Sequence, residues 1–99
     1  MTMNRGLNTN KSGSSWSEDI KKKVFSKGTS IIGLDSSLFR EDVCGNTIRY
    51  SSFGDRGTRF GWEIDHINPV SNGGGDELIN LNPLQWKNNL EKGDKLNWK

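Results

Sequence analysis

The strongest structural signals in this chain lie between Gly61 and Asp94, in GWEIDHINPVSNGGGDELINLNPLQWKNNLEKGD. An apolar run predicts a strand over residues 60–67. The segment after it, with a proline and three consecutive glycines, predicts an extended surface loop whose ends lie close together. A second strand is predicted over residues 81–85 and a helix over residues 86–92, which the following glycine ends. The predicted order is therefore strand, loop, strand and helix.

The N-terminal half predicts a helix and a small hairpin. A capping-box pattern over residues 15–18, with apolar residues at every fourth position, predicts a helix over residues 16–27. Farther along, a Gly-Asn turn signal predicts a β-hairpin whose strands contain residues 43–44 and 47–50. These two elements are expected to precede the strand–loop–strand–helix unit in one α+β domain.

The length of 99 residues suits a single small domain. Residues 1–14 are polar and lack apolar periodicity, which predicts a disordered N-terminal tail. Residues 15–99 then form the domain, with its hairpin–helix core at about 60–95. Because only 30% of the residues are hydrophobic but four are Trp, we expect a modest core built on a few large aromatic side chains.

Charge and cysteine content exclude several classes of protein. The single Cys44 excludes an internal disulfide and a zinc site made from Cys pairs, and it indicates a reducing compartment. Neither a signal peptide nor a run long enough to span a membrane is visible, so we predict a cytoplasmic protein with no membrane partner. The net charge of +2 permits a polyanionic partner without requiring one.

The residues around His66 suggest phosphodiester hydrolysis, which needs an activated water, a cation on the scissile phosphate and help for the leaving oxygen. His66 is the only histidine, and its side chain is a competent base near neutral pH. One ring nitrogen must be held by a hydrogen-bond acceptor, which fixes the tautomer and leaves the other nitrogen for water. The side-chain carbonyl of Asn80 or the backbone of the loop can supply this acceptor.

Asp65 and Asn89 are the candidate metal ligands. Successive side chains on a strand point to opposite faces, so Asp65 and His66 serve one site only if the strand ends or bulges there. A carboxylate and an amide oxygen favour a hard divalent cation, Mg²⁺ or, in its place, Mn²⁺. Lys92 lies three residues after Asn89 on the same helical face, where it is expected to hold a phosphate oxygen.

Several assignments stay open at the level of the sequence. Asn82 is the alternative to Asn80 and Asn88 the alternative to Asn89. Glu63 shares the strand face of Asp65, and it either supports that carboxylate or forms an exposed salt bridge.

Other charged residues have both a functional and a structural interpretation. Asp76 and Glu77 are interpreted as loop caps. Arg49, Arg56 and Arg59 are candidates for phosphate contacts, with surface solubility as the alternative.

The motif residues resemble the HNH nucleases. EIDHI, the glycine-rich loop with Asp76, then Asn80-Leu81 and Asn88-Asn89-x-x-Lys92-Gly93 match the DH…N…N-x-x-K-G pattern of that family in register, over about a third of the chain. The resemblance implies a ββα-metal core in which His66 is the general base and Asn80 orients it. It also implies that Asp65 and Asn89 bind one divalent metal and that the products carry a 5′-phosphate and a 3′-hydroxyl.

One feature departs from the family pattern. Many HNH domains hold a structural zinc with two Cys pairs around the hairpin, but Gln85 and Asn88 occupy the usual positions of the downstream pair. No structural zinc is therefore expected. Apolar packing of Trp62, Leu84 and Trp86 is expected in its place.

The predicted function is that of a metal-dependent HNH endonuclease that cleaves DNA, with RNA as the less favoured substrate. No base-reading helix is evident, so phosphate contacts and groove shape are expected to supply most of the binding, with little sequence specificity. The weak net charge indicates modest affinity or a targeting partner. Two alternatives are a non-catalytic nucleic-acid-binding module and a nuclease toxin neutralised by an inhibitor protein.

Overall fold

The computed structural model describes residues 8–95 of the chain. The prediction for residues 1–7 of the tail lies outside these residues. Within the described range the protein has a small α+β fold, and no helix there is long and apolar enough to cross a membrane. In chain order its helices and strands are α1 (Glu18–Phe25), β1 (Phe39–Glu41), β2 (Thr47–Arg49), β3 (Trp62–His66), β4 (Leu81–Gln85) and α2 (Trp86–Lys92).

Strands β3 and β4 form an antiparallel hairpin that leads directly into α2. The register pairs Trp62 with Gln85 and His66 with Leu81. The Gln85 side chain caps α2 by accepting from the backbone N–H of Lys87, so the helix begins without a connecting loop. Helix α2 packs against both strands. The bounds of β4 and α2 agree with the prediction, whereas β3 is shorter because the residues before it form a turn.

The loop between β3 and β4 brings its two ends together, as predicted. The Ile67 N–H donates to the Asn80 carbonyl at 2.8 Å, and short 3₁₀ turns occupy Val70–Asn72 and Leu78–Asn80. Gly74 is needed where the loop crosses itself, because a Cβ atom there would lie 1.7 Å from the Asn68 carbonyl oxygen. The loop is therefore a folded element of fixed shape.

The core lies between α1, β2 and the β3–β4 hairpin, and it is rich in aromatic rings, as predicted. Trp62 is fully buried, with ring centroids of Phe53 at 4.9 Å and Phe25 at 5.2 Å. The buried hydrophobic residues of the core are Trp16, Val24, Phe25, Ile48, Trp62, Ile64 and Leu81. Helix α1 is shorter than predicted because Ser17, two residues after the expected cap, accepts from the Ile20 N–H and begins the helix.

The first hairpin differs from the prediction in its strand positions. Residues 43–44 lie in the turn, because Asp42 Oδ1 accepts from the backbone N–H of Cys44 at 3.0 Å and of Asn46 at 2.9 Å. These bonds close a turn longer than two residues between β1 and β2. The first strand therefore lies earlier in the chain than predicted, at Phe39–Glu41, whereas the second strand, Thr47–Arg49, lies within the predicted residues 47–50.

Asp42 also joins this hairpin to α2. Its Oδ2 atom accepts from the backbone N–H of Gln85 at 2.9 Å and from Asn88 Nδ2 at 3.0 Å. Asn88 Nδ2 also donates to Asn46 Oδ1 at 2.8 Å. Trp62 and Leu84 are buried, as the predicted apolar packing requires, while Gln85 and Asn88 take part in a hydrogen-bond network around the buried Asp42 carboxylate.

Replacing Asp42 by alanine is expected to lower the free energy of unfolding by about 3 kcal/mol, because three backbone donors and one side-chain donor lose a carboxylate acceptor at a buried position. Urea unfolding followed by Trp fluorescence measures the change. Asp19→Ala is the matched control, since it removes a solvent-exposed carboxylate that pairs only with Lys23 in the same helix. Equal losses in the two variants would contradict the proposed role of the network.

Residues 8–14, which belong to the predicted N-terminal tail, form a turn that is hydrogen-bonded to β3. Asn10 Oδ1 accepts from the backbone N–H of Ser12 at 3.0 Å and of Ser14 at 2.9 Å, which forms a capped turn. Asn8 Oδ1 accepts from the backbone N–H of Ile64 in β3 at 2.9 Å. The Asn side chains of this segment therefore bond to backbone groups both near and far in sequence, which polar composition alone does not predict.

Candidate active site

Asp65 and His66 lie at the end of β3, as a shared site requires. The β3–β4 register is continuous, so no bulge brings the two side chains together. Instead His66 is the last residue of the strand, and both residues line one cavity of about 170 Å³. We call this cavity the His66 cleft. Its polar lining residues are Asn8, Arg56, Asp65, His66, Asn89 and Asp94.

His66 is held by the carboxylate of Asp76, a residue whose sequence context predicts a loop cap. Its Nε2 atom lies 2.8 Å from Asp76 Oδ1, and its ring centroid lies 5.5 Å from that of Trp16. A carboxylate at this distance accepts a hydrogen from Nε2, which leaves Nδ1 as the basic nitrogen of the neutral ring. The acceptor that the base requires is therefore supplied by Asp76. An acidic residue in the glycine-rich loop is the only sequence signal for it.

Asn80 has a different set of partners from the one expected. Its Oδ1 accepts from the Asn68 N–H at 2.8 Å, while its Nδ2 donates to the carbonyls of Asn68 at 3.1 Å and Gly75 at 2.8 Å. These three bonds use both ends of the amide to hold the loop together. Asn80 thus acts on His66 at a distance, by fixing the loop that carries Asp76.

Lys92 is an internal counter-ion, and its position does not fit the predicted phosphate contact. Its Nζ lies 3.0 Å from Asp65 Oδ1 and donates to the His66 carbonyl oxygen at 3.1 Å, with 6% of the side chain exposed. This buried ammonium ties α2 to the end of β3. Burial raises the pKa of Asp65 above its ordinary value of 3.8, and the nearby Lys92 opposes that rise.

Glu63 links Asn89 to Arg56. Its buried carboxylate accepts from Arg56 Nε at 2.8 Å and Nη2 at 3.0 Å, and from Asn89 Nδ2 at 2.8 Å. Of the two interpretations of Glu63, a salt bridge is observed, but it is buried. Because the Asn89 amide nitrogen donates to Glu63, its oxygen is the atom that remains for a cation. Asn89 lines the His66 cleft, and Arg56 does so with 30% of its side chain exposed.

The other asparagine candidates lie elsewhere. Asn88 bonds to Asp42 and Asn46 in the network that joins the two hairpins. Asn82 pairs with Asp65 across the β3–β4 hairpin, but it lines a separate small cavity beside Lys27. The structure therefore favours Asn89 over Asn88 as the candidate cation ligand. The hydrogen-bond partners of Asn80 lie in the loop between β3 and β4.

Of the three arginines that are candidates for phosphate contacts, Arg49 and Arg59 are exposed and are not among the described lining residues of the His66 cleft. The guanidinium of Arg59 lies over the Phe60 ring, 5.0 Å from its centroid. Arg49 is in β2, on the hairpin that precedes β3. Both remain candidates for contacts with nucleic acid outside the cleft, while Arg56 is the arginine at the site.

A larger cavity of about 420 Å³ lies between α1 and the first hairpin, but its chemistry is poorer. The guanidinium of Arg40, which lines it, donates to the carbonyls of Ser26, Gly28 and Ser36. The Arg40 guanidinium is therefore already hydrogen-bonded to backbone carbonyl groups of the protein. By volume alone this cavity would be the candidate active site. The His66 cleft is preferred because it has a histidine base beside oxygen atoms that could bind a cation.

The donor atoms in the His66 cleft fit a hard divalent cation. Lys92 is bonded to Oδ1 of Asp65, which leaves Oδ2 of Asp65 and the amide oxygen of Asn89 as ligands. No group of three or more His, Cys, Asp or Glu side chains that could hold a metal occurs within residues 8–95. A cation bound by only two protein oxygens keeps several waters and accepts phosphate oxygens, as Mg²⁺ does.

Comparisons of this chain with protein-family models, curated proteins and solved structures give no match. The likeness to HNH nucleases therefore rests on the motif residues and on their arrangement in the cleft.

Proposed function

We propose that this protein is a metal-dependent endonuclease of the HNH type that hydrolyses DNA phosphodiester bonds, and that β3, β4 and α2 are its ββα-metal core. The observation that carries the proposal is the meeting of His66, Asp65 and Asn89 in one cleft at the end of a hairpin. A base and two oxygen ligands at one position match the needs of phosphodiester hydrolysis.

His66 is the general base of the proposed reaction. Its Nδ1 atom takes a proton from a water molecule while Nε2 remains bonded to Asp76. The water oxygen forms a bond to phosphorus, and the bond from phosphorus to the 3′-oxygen breaks. The leaving oxygen then takes up a proton. The products carry a 5′-phosphate and a 3′-hydroxyl.

Asp65 and Asn89 hold the proposed divalent cation, Mg²⁺ or Mn²⁺. When bound, it would supply Lewis-acid stabilisation of charge on the phosphate and on the leaving oxygen. Glu63 keeps the Asn89 amide turned so that its nitrogen is occupied and its oxygen is the ligand. Lys92 holds Asp65 in place, which fixes the angle between strand and helix at the site.

Arg56 is the proposed phosphate-binding residue of the cleft. Glu63 accepts from two of its donors, Nε and Nη2, which fixes the plane of the guanidinium and leaves the Nη1 donors for an anion. No base-reading element is proposed, so we expect little sequence preference and a strong dependence of binding on salt. The small net charge of +2 is consistent with a partner that supplies targeting or inhibition.

Incubation of supercoiled plasmid with the protein and Mg²⁺ is expected to give nicked circles. EDTA should stop the reaction and added Mg²⁺ should restore it. DNA ligase alone should reseal the nicks, since the products carry a 5′-phosphate and a 3′-hydroxyl. A structured RNA in the same assay tests the less favoured substrate.

Two results would contradict the proposed function. Absence of nicking with Mg²⁺ and with Mn²⁺, together with DNA retention in a gel-shift assay, would favour a non-catalytic binding module. Nicking that continues unchanged in EDTA would exclude the metal-dependent mechanism.

A further inference from the structure

We propose that Asp76 is a positioning residue for His66, and that the segment at residues 8–11 is part of the site because the Lys11 backbone N–H holds Asp76. This inference rests on the proposed function for its effect on turnover. The contacts that support it are present in the protein without metal or substrate.

The Asp76 carboxylate lies between two donors. Oδ1 is 2.8 Å from His66 Nε2 and 3.1 Å from the Lys11 nitrogen, whose N–H also reaches Oδ2 at 3.3 Å. A carboxylate held only by the histidine could rotate about its side-chain bonds, because 34% of the Asp76 side chain is exposed. The second donor removes this freedom, so that the carboxylate meets the imidazole in one orientation.

The N-terminal segment is itself held by two sets of hydrogen bonds, one within its own turn and one to β3. The turn over residues 10–14 is capped by Asn10, which sets the direction of the Lys11 N–H. Asn8 accepts from the Ile64 N–H in β3 and lines the His66 cleft. The segment thus spans from the strand that carries the base to the loop that carries the carboxylate.

The Lys11 side chain takes no part in this arrangement, since the donor is a backbone atom. This separation gives a matched pair of variants. Lys11→Pro removes the N–H, whereas Lys11→Ala removes the ammonium and keeps the N–H. Asp76→Ala removes the acceptor itself and tests the proposal independently, should proline disturb the turn.

The first measurement is the imidazole N–H proton signal in the NMR spectrum of the metal-free protein at neutral pH. His66 is the only histidine, so the signal has one source. We expect a slowly exchanging Nε2 proton in the parent protein and in Lys11→Ala. The signal should broaden in Lys11→Pro and disappear in Asp76→Ala, because water then exchanges the proton freely.

The second measurement is the nicking rate with Mg²⁺. Asp76→Ala is expected to lower kcat by about 10–100-fold and Lys11→Pro by about tenfold, with KM nearly unchanged, since the loss affects the base and not substrate binding. Lys11→Ala keeps the N–H that donates to Asp76, so its kcat should be higher than that of Lys11→Pro. Near-ultraviolet circular dichroism checks that each variant is folded.

Retention of the proton signal and of kcat in Asp76→Ala would overturn the positioning role. Identical behaviour of Lys11→Pro and Lys11→Ala would overturn the role of the N-terminal segment. The NMR measurement needs no turnover, so its failure is distinct from failure of the proposed function. A protein that lacks nicking activity but loses the signal in Asp76→Ala would support the positioning role and contradict the nuclease proposal.

Discussion

Replacement of His66 by alanine is expected to lower the rate of plasmid nicking by about 10²–10⁴-fold, the usual contribution of a general base. Affinity for Mg²⁺ should remain nearly unchanged, because the proposed ligands are oxygen atoms of Asp65 and Asn89. Single-turnover nicking measures the first quantity and isothermal calorimetry the second.

Asn89→Ala is the matched control for this variant, because it removes a proposed ligand from α2 and leaves the base. Its Mg²⁺ affinity is expected to fall at least as far as the ~10–100-fold cost of losing an outer-shell partner. Asp65→Ala should have the same effect. A loss of metal affinity in His66→Ala would show that the base assignment is wrong. Unchanged affinity in both ligand variants would place the cation elsewhere.

Lys92→Met is expected to lower the free energy of unfolding by about 3–5 kcal/mol, because it leaves the Asp65 carboxylate buried without its counter-ion. Methionine keeps most of the apolar stem, so the lost charge and hydrogen bonds dominate the change. Urea unfolding of the metal-free protein, followed by Trp fluorescence, measures the effect.

The cost of Lys92→Met should depend on pH. Burial raises the pKa of Asp65, so the stability that its neutral form contributes is present in acid and is lost as pH rises through the native pKa. Lys92 lowers this pKa and so limits the loss. The variant lacks that compensation, so its destabilisation should be largest at neutral pH and should decrease as the pH falls toward the native pKa of the carboxyl.

A double variant separates this role from the phosphate contact that the sequence predicts. Asp65→Asn added to Lys92→Met removes the unpaired charge, so part of the lost stability should return. An exposed phosphate ligand would behave differently, with stability unchanged and a higher KM for DNA. That second pattern would contradict the internal ion pair.

Elements fixed by short-range signals agree with the sequence prediction. The bounds of β4 and α2 follow from local pattern and from the glycine after the helix, where Gly93 adopts φ of +53°. The closure of the loop and the position of both Asp65 and His66 at the end of a strand also agree with the sequence prediction. In each case the deciding residues are a few positions apart, so the pattern contains enough information.

The partners of the site residues could not be predicted, because they depend on how distant segments pack. The spacing of Asn89 and Lys92 correctly gives them a common helical face, but only the packing of α2 on β3 decides that Lys92 is buried. Asp76 reaches His66 through the path of a folded loop, and Lys11 is 65 positions from the carboxylate that it contacts. Asp42 likewise accepts hydrogen bonds from the hairpin turn and from the backbone N–H of Gln85, which caps α2 and lies 43 positions later.

The order of these segments along the chain has a consequence for biosynthesis. Synthesis proceeds from the N-terminus, so the imidazole and its neighbouring carboxylate are made before the helix that carries Asn89 and Lys92. Until that helix leaves the ribosome, Asp65 lacks its counter-ion and the proposed cation pocket lacks its amide oxygen. The proposed site is therefore incomplete until α2 has been synthesised.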